Sequence, residues 1–172
     1  MPFISFENTY AFGRNVPPII YRFYRWQITA SKTMPPDGNC TQASEFLFQL
    51  NGVDQQSITS TATVTNPGGS NPAGETPPNL VDANLLTKAL DLNFTSNGSI
   101  TNFIFTFAKA QSFTSYRWAT ANDLDSRDPA SWTVSGSNNG TTWVVLSTVS
   151  GYAATASRST YNPTSWALIT PS

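Results

Sequence analysis

Few residues in this chain can do chemistry, and their types restrict what that chemistry is. The segment NDLDSRD carries carboxylates at Asp123, Asp125 and Asp128, close enough in sequence to pair for general acid–base work. The opposing reading is structural: Asp123 and Asp128 cap a turn and pair with Arg127. As a calcium loop the segment falls short, because it lacks the glycine and the closing glutamate of the helix–loop–helix motif. The chain has no histidine and one cysteine, Cys40, so a serine or thiol nucleophile lacks its usual base. The expectation is a protein that is not an enzyme, with Cys40 an inert thiol in a turn-rich loop.

A second constellation is aromatic and cationic. Tyr24-Arg25-Trp26 returns about ninety residues later as Tyr116-Arg117-Trp118. Arginines interleaved with rings suit a nucleic-acid platform, in which cations neutralise phosphates and rings stack on bases. They equally suit two strands of a sandwich, with rings packed inward and arginines at edges or in ion pairs. A net charge of −1 and a pI of about 5.2 give no overall field to attract nucleic acid or an anionic membrane. The strand reading is preferred, with no nucleic acid and no membrane among the expected partners.

The elements that must position these residues follow from composition and punctuation. Aromatics make up 13 % and charged residues 11 % of the chain, against roughly 25 % charged in an average domain. Ser, Thr, Asn and Gly take the remaining polar share, which suits short strands and tight turns. YRFYRWQITA, SEFLFQLNG, SITSTATVT (57–65), ITNFIFTF, FTSYRWAT, SWTVSGS and TTWVVLSTV read as strands. NLVDANLLTKALDLNF offers the one plausible helical turn. In ITNFIFTF, Phe103, Phe105 and Phe107 share one face and Asn102, Ile104 and Thr106 the other. Asn51–Gly52 ends one strand, and Asn138-Asn139-Gly140 marks a tight hairpin because these residues tolerate positive φ. NPGGSNPAGETPP (66–78) is a long loop without periodicity.

Residues 21–172 therefore read as one domain. Residues 1–20 read as an N-terminal arm carrying Phe3, Phe6, Tyr10 and Phe12, cut off from the next strand by Pro17 and Pro18. No run approaches the roughly 18 apolar residues of a membrane span. The opening MPFISFENTYAFGRN has neither the basic nor the apolar region of a signal peptide. Trp26, Trp118, Trp132 and Trp143 are expected as core or half-core rings. Trp166 either packs against it or is exposed for a sugar ring.

From Tyr116 to Gly151 the chain resembles the discoidin-type domain, also called coagulation factor V/VIII type C or galactose-binding-like. The resemblance rests on Tyr116, TAND, RDP, Ser131-Trp132, GSNNG and Trp143. NLVDANLLTKALDLN is similar to that family's N-x-x-D-G-N-x-x-T-K-W-L-D, with Ala83 in place of its glycine and Ala89 in place of its tryptophan. The resemblance implies an all-β fold, an antiparallel jelly-roll sandwich of about eight strands. It also implies a structural calcium ion where the D-x-N-x-x-T loop meets a terminal-strand glutamate; the matching residues are Glu45, Asp82, Asn84 and Thr87, all oxygen donors suited to Ca²⁺. Sugar-binding relatives use a histidine, an arginine and an aromatic at the loop end, and histidine is missing here.

Two functions remain on this scaffold. One is a structural protein of a virus particle, such as a phage capsid-decoration or tail component, assembled in the host cytoplasm. Its arm of Phe3, Phe6, Tyr10 and Phe12 then contacts other virion proteins or a second copy. The alternative is a carbohydrate-binding module recognising host or environmental glycans. The first is preferred, because the chain offers a lone module and an aromatic-rich arm that needs a surface to cover.

Overall fold

In the computed structural model residues 19–169 are described, and the arm residues Phe3, Phe6, Tyr10 and Phe12 lie outside them. The strands are β1 (Ile19–Ser31), β2 (Thr41–Ala43), β3 (Glu45–Leu50) and β4 (Val53–Asp54), then one helical turn, α1 (Gln56–Thr59), and β5 (Thr63–Thr65). There follow β6 (Ala89–Asp91), β7 (Thr101–Phe113), β8 (Ser115–Ala119), β9 (Pro129–Ser137), β10 (Val144–Val149) and β11 (Trp166–Ala167). They form a five-stranded sheet in the order β10-β9-β1-β7-β5, a four-stranded sheet β11-β8-β3-β4 and a small pair β2-β6. Every pairing is antiparallel. The protein is an all-β sandwich.

Alternation in sequence explains the layering. Along β7, Phe103, Phe105 and Phe107 are buried, whereas Asn102, Ile104 and Thr106 are half-buried on the outer face. In β1, Tyr24, Trp26 and Ile28 face inward, and Trp26 lies opposite Phe103 on one side and Val134 on the other. From the facing sheet β3 contributes Phe46 and Phe48, and β8 contributes Tyr116 and Trp118, all fully buried. Phe48 stacks on Phe113 at 4.3 Å and Phe46 on Tyr116 at 5.1 Å between centroids. Each such ring contributes roughly 1.5–3 kcal/mol by leaving water, so the two sheets are joined chiefly by aromatic packing. Polar contacts also cross the layer. Trp132 of β9 donates its indole N–H to the Tyr116 hydroxyl at 2.8 Å, and Ser147 Oγ lies 3.1 Å from the same oxygen.

Turn chemistry behaves as the residues dictate. Asn51 and Gly52 both take positive φ, 52° and 77°, closing the two-residue β3–β4 hairpin of Leu50 and Val53. Asn138-Asn139-Gly140 does connect β9 to β10, but the loop runs through 143 and is not tight. Asn139 Oδ1 accepts the Thr141 and Thr142 amides at 2.9 and 2.8 Å, and so holds the wider turn. Gly136 is required by close approach, since a Cβ there would lie 2.2 Å from Cδ2 of Tyr21.

Several local expectations are corrected by tertiary contacts. Residues 57–65 are not one strand. Their first half turns as α1, because Gln55 N–H reaches the Phe48 carbonyl at 2.9 Å and Thr59 Oγ1 accepts the Phe48 amide. The helical turn expected in 79–94 is a 3-10 turn at Pro77–Val81, and the rest of that stretch is loop around the short strand β6. The strand count exceeds eight because β2, β4, β5, β6 and β11 are pieces of two or three residues. β1 begins at Ile19, two residues before the boundary expected for the domain.

Candidate functional site

Glu45, Asp82, Asn84 and Thr87 do come together. Glu45 opens β3 and is fully buried, while the three loop residues fold over it. The Asn84 amide donates to Glu45 Oε1 and to Asp82 Oδ1, each at 2.9 Å. Thr87 Oγ1 donates to Asp82 Oδ2 at 2.7 Å, and Asn84 Oδ1 accepts the Leu86 amide at 3.1 Å. Ala83 holds the loop corner at a φ of 61°, the left-handed region glycine adopts freely.

The second carboxylate oxygen of Glu45, Oε2, is buried with no hydrogen-bond partner. Burial first, and the neighbouring Asp82 carboxyl second, push the Glu45 carboxyl up to about 8. Two acids so close call for a proton or a cation between them. An all-oxygen donor set with one orphaned carboxylate oxygen fits a hard cation such as calcium. Glu45 and Asp82 would hold it, with Asn84 and Thr87 completing the oxygen set, and the ion would supply the positive charge that offsets their repulsion. Among the described residues no three His, Cys, Asp or Glu side chains gather in one group able to hold a metal, so only two carboxylates contribute here.

The acidic stretch distributes its carboxylates to separate cations. Lys88 Nζ lies 2.8 Å from both Asp123 oxygens and 3.5 Å from Glu75. Burial alone would raise the Asp123 carboxyl, but hydrogen bonds from Lys88 and Gln42 hold it below the usual range. Asp125 pairs with Lys32. Asp128, fully buried, is gripped two-handed by Arg158, Nη1 to Oδ1 at 2.9 Å and Nη2 to Oδ2 at 2.6 Å. Arg127 pairs with neither Asp123 nor Asp128, contrary to the sequence expectation, and instead donates Nε to the Asp37 carbonyl at 2.8 Å. The reason is distance in sequence: Lys88 and Arg158 arrive from loops that local reasoning cannot place beside this turn.

The two Tyr-Arg-Trp triplets place their rings inward and differ in their arginines. Arg117 pairs with Asp54 and lies 4.1 Å from the centroid of Tyr161. Arg25 sits on a central strand, not an edge. It forms no ion pair among the described residues, and its Nε is buried without a partner. Its guanidinium instead lies 4.7 Å from the ring centroid of Trp143, a cation–π contact. Trp143 is therefore not a core residue. It is half-buried on the outer face of the five-stranded sheet, because the β9–β10 loop folds back over Phe23 and Arg25. Its position directly after the Asn-Gly turn, ahead of the alternating strand, was the signal for this. Trp166 packs at the core margin, stacked on Tyr116 at 5.6 Å and edge-on to Trp132 at 5.0 Å. Cys40 is buried, with its thiol 2.8 Å from the Gly38 carbonyl oxygen and its acidity lowered by burial.

No protein-family model, curated protein or solved structure matches this chain. Among the described residues no helix is long and apolar enough to cross a membrane.

Proposed function

We propose that this chain is a non-catalytic structural and binding protein, a discoidin-like jelly-roll sandwich that serves as a capsid-decoration or tail component of a virus particle. One observation carries the reading. β1 begins its pairing with β7 at Ile19 opposite Phe113, but its pairing with β9 only at Phe23 opposite Ser137. The first residues of a central strand thus lack a strand neighbour on one side, where Asn138 Oδ1 accepts the Arg22 amide at 3.1 Å, beside an exposed Ile20 and directly after the aromatic-rich segment 1–18. Unpaired strand edges are templates for another chain. Residues 1–20, with Phe3, Phe6, Tyr10 and Phe12, are assigned to contacts with neighbouring subunits. Deleting residues 2–16 tests this: the sandwich keeps its melting temperature while incorporation into the particle is lost. A truncated protein that unfolds would instead assign the segment to the domain's own core.

The half-buried rings of Trp143 and Tyr161 favour a second reading, recognition of glycans. A glycan array separates the two, since binding of one glycan class by a protein that never enters a particle would displace the assembly reading.

A further inference from the structure

We propose that the outer face of the five-stranded sheet, at the end where β1 begins, is a docking surface for the carboxylate-rich end of a second copy of this chain. Copies then associate head to tail. The inference deepens the assembly reading above and rests on it.

The two ends of the sandwich differ sharply in charge. Where β1 and β8 finish and β3 and β9 begin, the loops carry every described carboxylate except Asp54 and the buried strand residues Glu45 and Asp91. Facing these are only four cations, Lys32, Lys88, Arg127 and Arg158, three of which are used in ion pairs. Asp37, Asp82, Asp123 and Asp125 are exposed there. Leu86, 75 % exposed, and Leu124, 46 % exposed, stand among them.

The opposite end is the complement. Arg22, Arg25 and Lys109 form no ion pair among the described residues. All three lie on β1 and β7, where the register slips between Tyr21 and Phe23 and β7 bulges out opposite Arg22. Arg22 is anchored by Nε to the Phe107 carbonyl at 3.2 Å and lies 5.4 Å from the centroid of Phe23. Arg25 stacks on Trp143, and Val145 of the neighbouring edge strand is 47 % exposed. The five-stranded sheet thus carries half-buried rings, Phe23 and Trp143, and cations that form no ion pair among the described residues, with no carboxylate on any of its strands. It meets both requirements of the other end, carboxylates for the guanidinium groups and leucines for the rings.

Oppositely charged surfaces steer and orient association. Because the two patches sit at opposite ends of one molecule, the contact is heterologous, and each docked copy leaves both a free head and a free tail for the next.

Light scattering on the full chain at low and high salt reads the association directly. The wild type is expected to grow in mass with concentration, and raising salt from about 0.05 M to about 0.5 M should weaken this about tenfold or more. Two variants then separate the ends: Arg22→Gln with Lys109→Gln neutralises the platform, and Asp37→Asn with Asp125→Asn neutralises the acidic end. Each alone should be monomeric. Mixed, they should give a 1:1 dimer that grows no further, because only one intact head meets one intact tail. If the acidic-end variant melts below wild type, Leu86→Lys, on a largely exposed side chain, replaces it in the mixture. A wild type that stays monomeric at low salt overturns the proposal. So does a mixture that fails to pair, and so does a monomer whose platform binds heparin or polyuronate. Loss of particle incorporation on deleting the arm is read separately, so the failure of this contact and the failure of the assembly reading are told apart.

Discussion

The rings of Trp26 and Trp118, the last members of the two Tyr-Arg-Trp triplets, face each other across the sandwich with centroids 5.8 Å apart. Each is fully buried, and both meet Trp132 edge-on, at 6.2 and 5.8 Å. The repeated triplet is thus one inter-sheet contact, with a strand supplied by each layer.

Removing either ring leaves a large cavity. Trp26→Ala and Trp118→Ala are each expected to cost about 3–5 kcal/mol. The double variant should cost less than their sum by about 0.5–1.5 kcal/mol, the coupling typical of an aromatic pair. Denaturant unfolding of all four proteins measures this, and strict additivity would mean that the rings merely coexist.

Ala83 holds a left-handed corner, at φ 61°, that costs a residue with a Cβ about 1–2 kcal/mol. Ala83→Gly is therefore expected to raise the melting temperature, the gain being reduced by glycine's greater freedom in the unfolded chain. A lower melting temperature would mean that Ala83 makes packing contacts which outweigh the strain.

Glu45 gives the fold a distinctive dependence on pH. A carboxyl raised to about 8 from its usual 4.5 keeps its proton in the folded state after the unfolded chain has lost it. Its contribution to stability is therefore full below about pH 4.5 and is lost as pH rises toward about 8. In EDTA, wild type should weaken over that window relative to Glu45→Gln, and added calcium should flatten the slope by standing in for the proton. Asp82→Ala is expected to destabilise the 80–92 loop in either case. Chelator sensitivity present in wild type and absent in that variant identifies the ion, and an Asp82→Ala protein as stable as wild type rejects both roles.

Arg158 ties the loop after β10 to the start of β9 through Asp128. Arg158→Ala leaves a buried carboxylate without its cation, expected to cost about 3–5 kcal/mol. Asp128→Asn with Arg158→Met, which removes both charges, should recover much of that loss. Thermal melts at neutral pH compare them, and a single variant as stable as wild type would show that water reaches Asp128.

Much of this architecture was legible before any coordinates, because its causes are local. Period-two alternation sends Phe103, Phe105 and Phe107 to one face whatever lies opposite, and Asn51-Gly52 has few options but a tight hairpin. The gathering of Glu45, Asp82, Asn84 and Thr87 was also foreseen, although through resemblance and not through spacing. What the sequence left open were the relationships that depend on which distant segments meet. Periodicity says that Trp143 is hydrophobic, but only the folding back of its loop over Arg25 puts it on the outer face. Nothing near Asp128 announces Arg158, and nothing in 57–65 announces that Phe48 will claim the hydrogen-bonding groups that turn α1. The separation of cations from carboxylates is likewise invisible in a net charge of −1. Composition sums charges, whereas the tertiary fold decides where each one stands and which partner it meets.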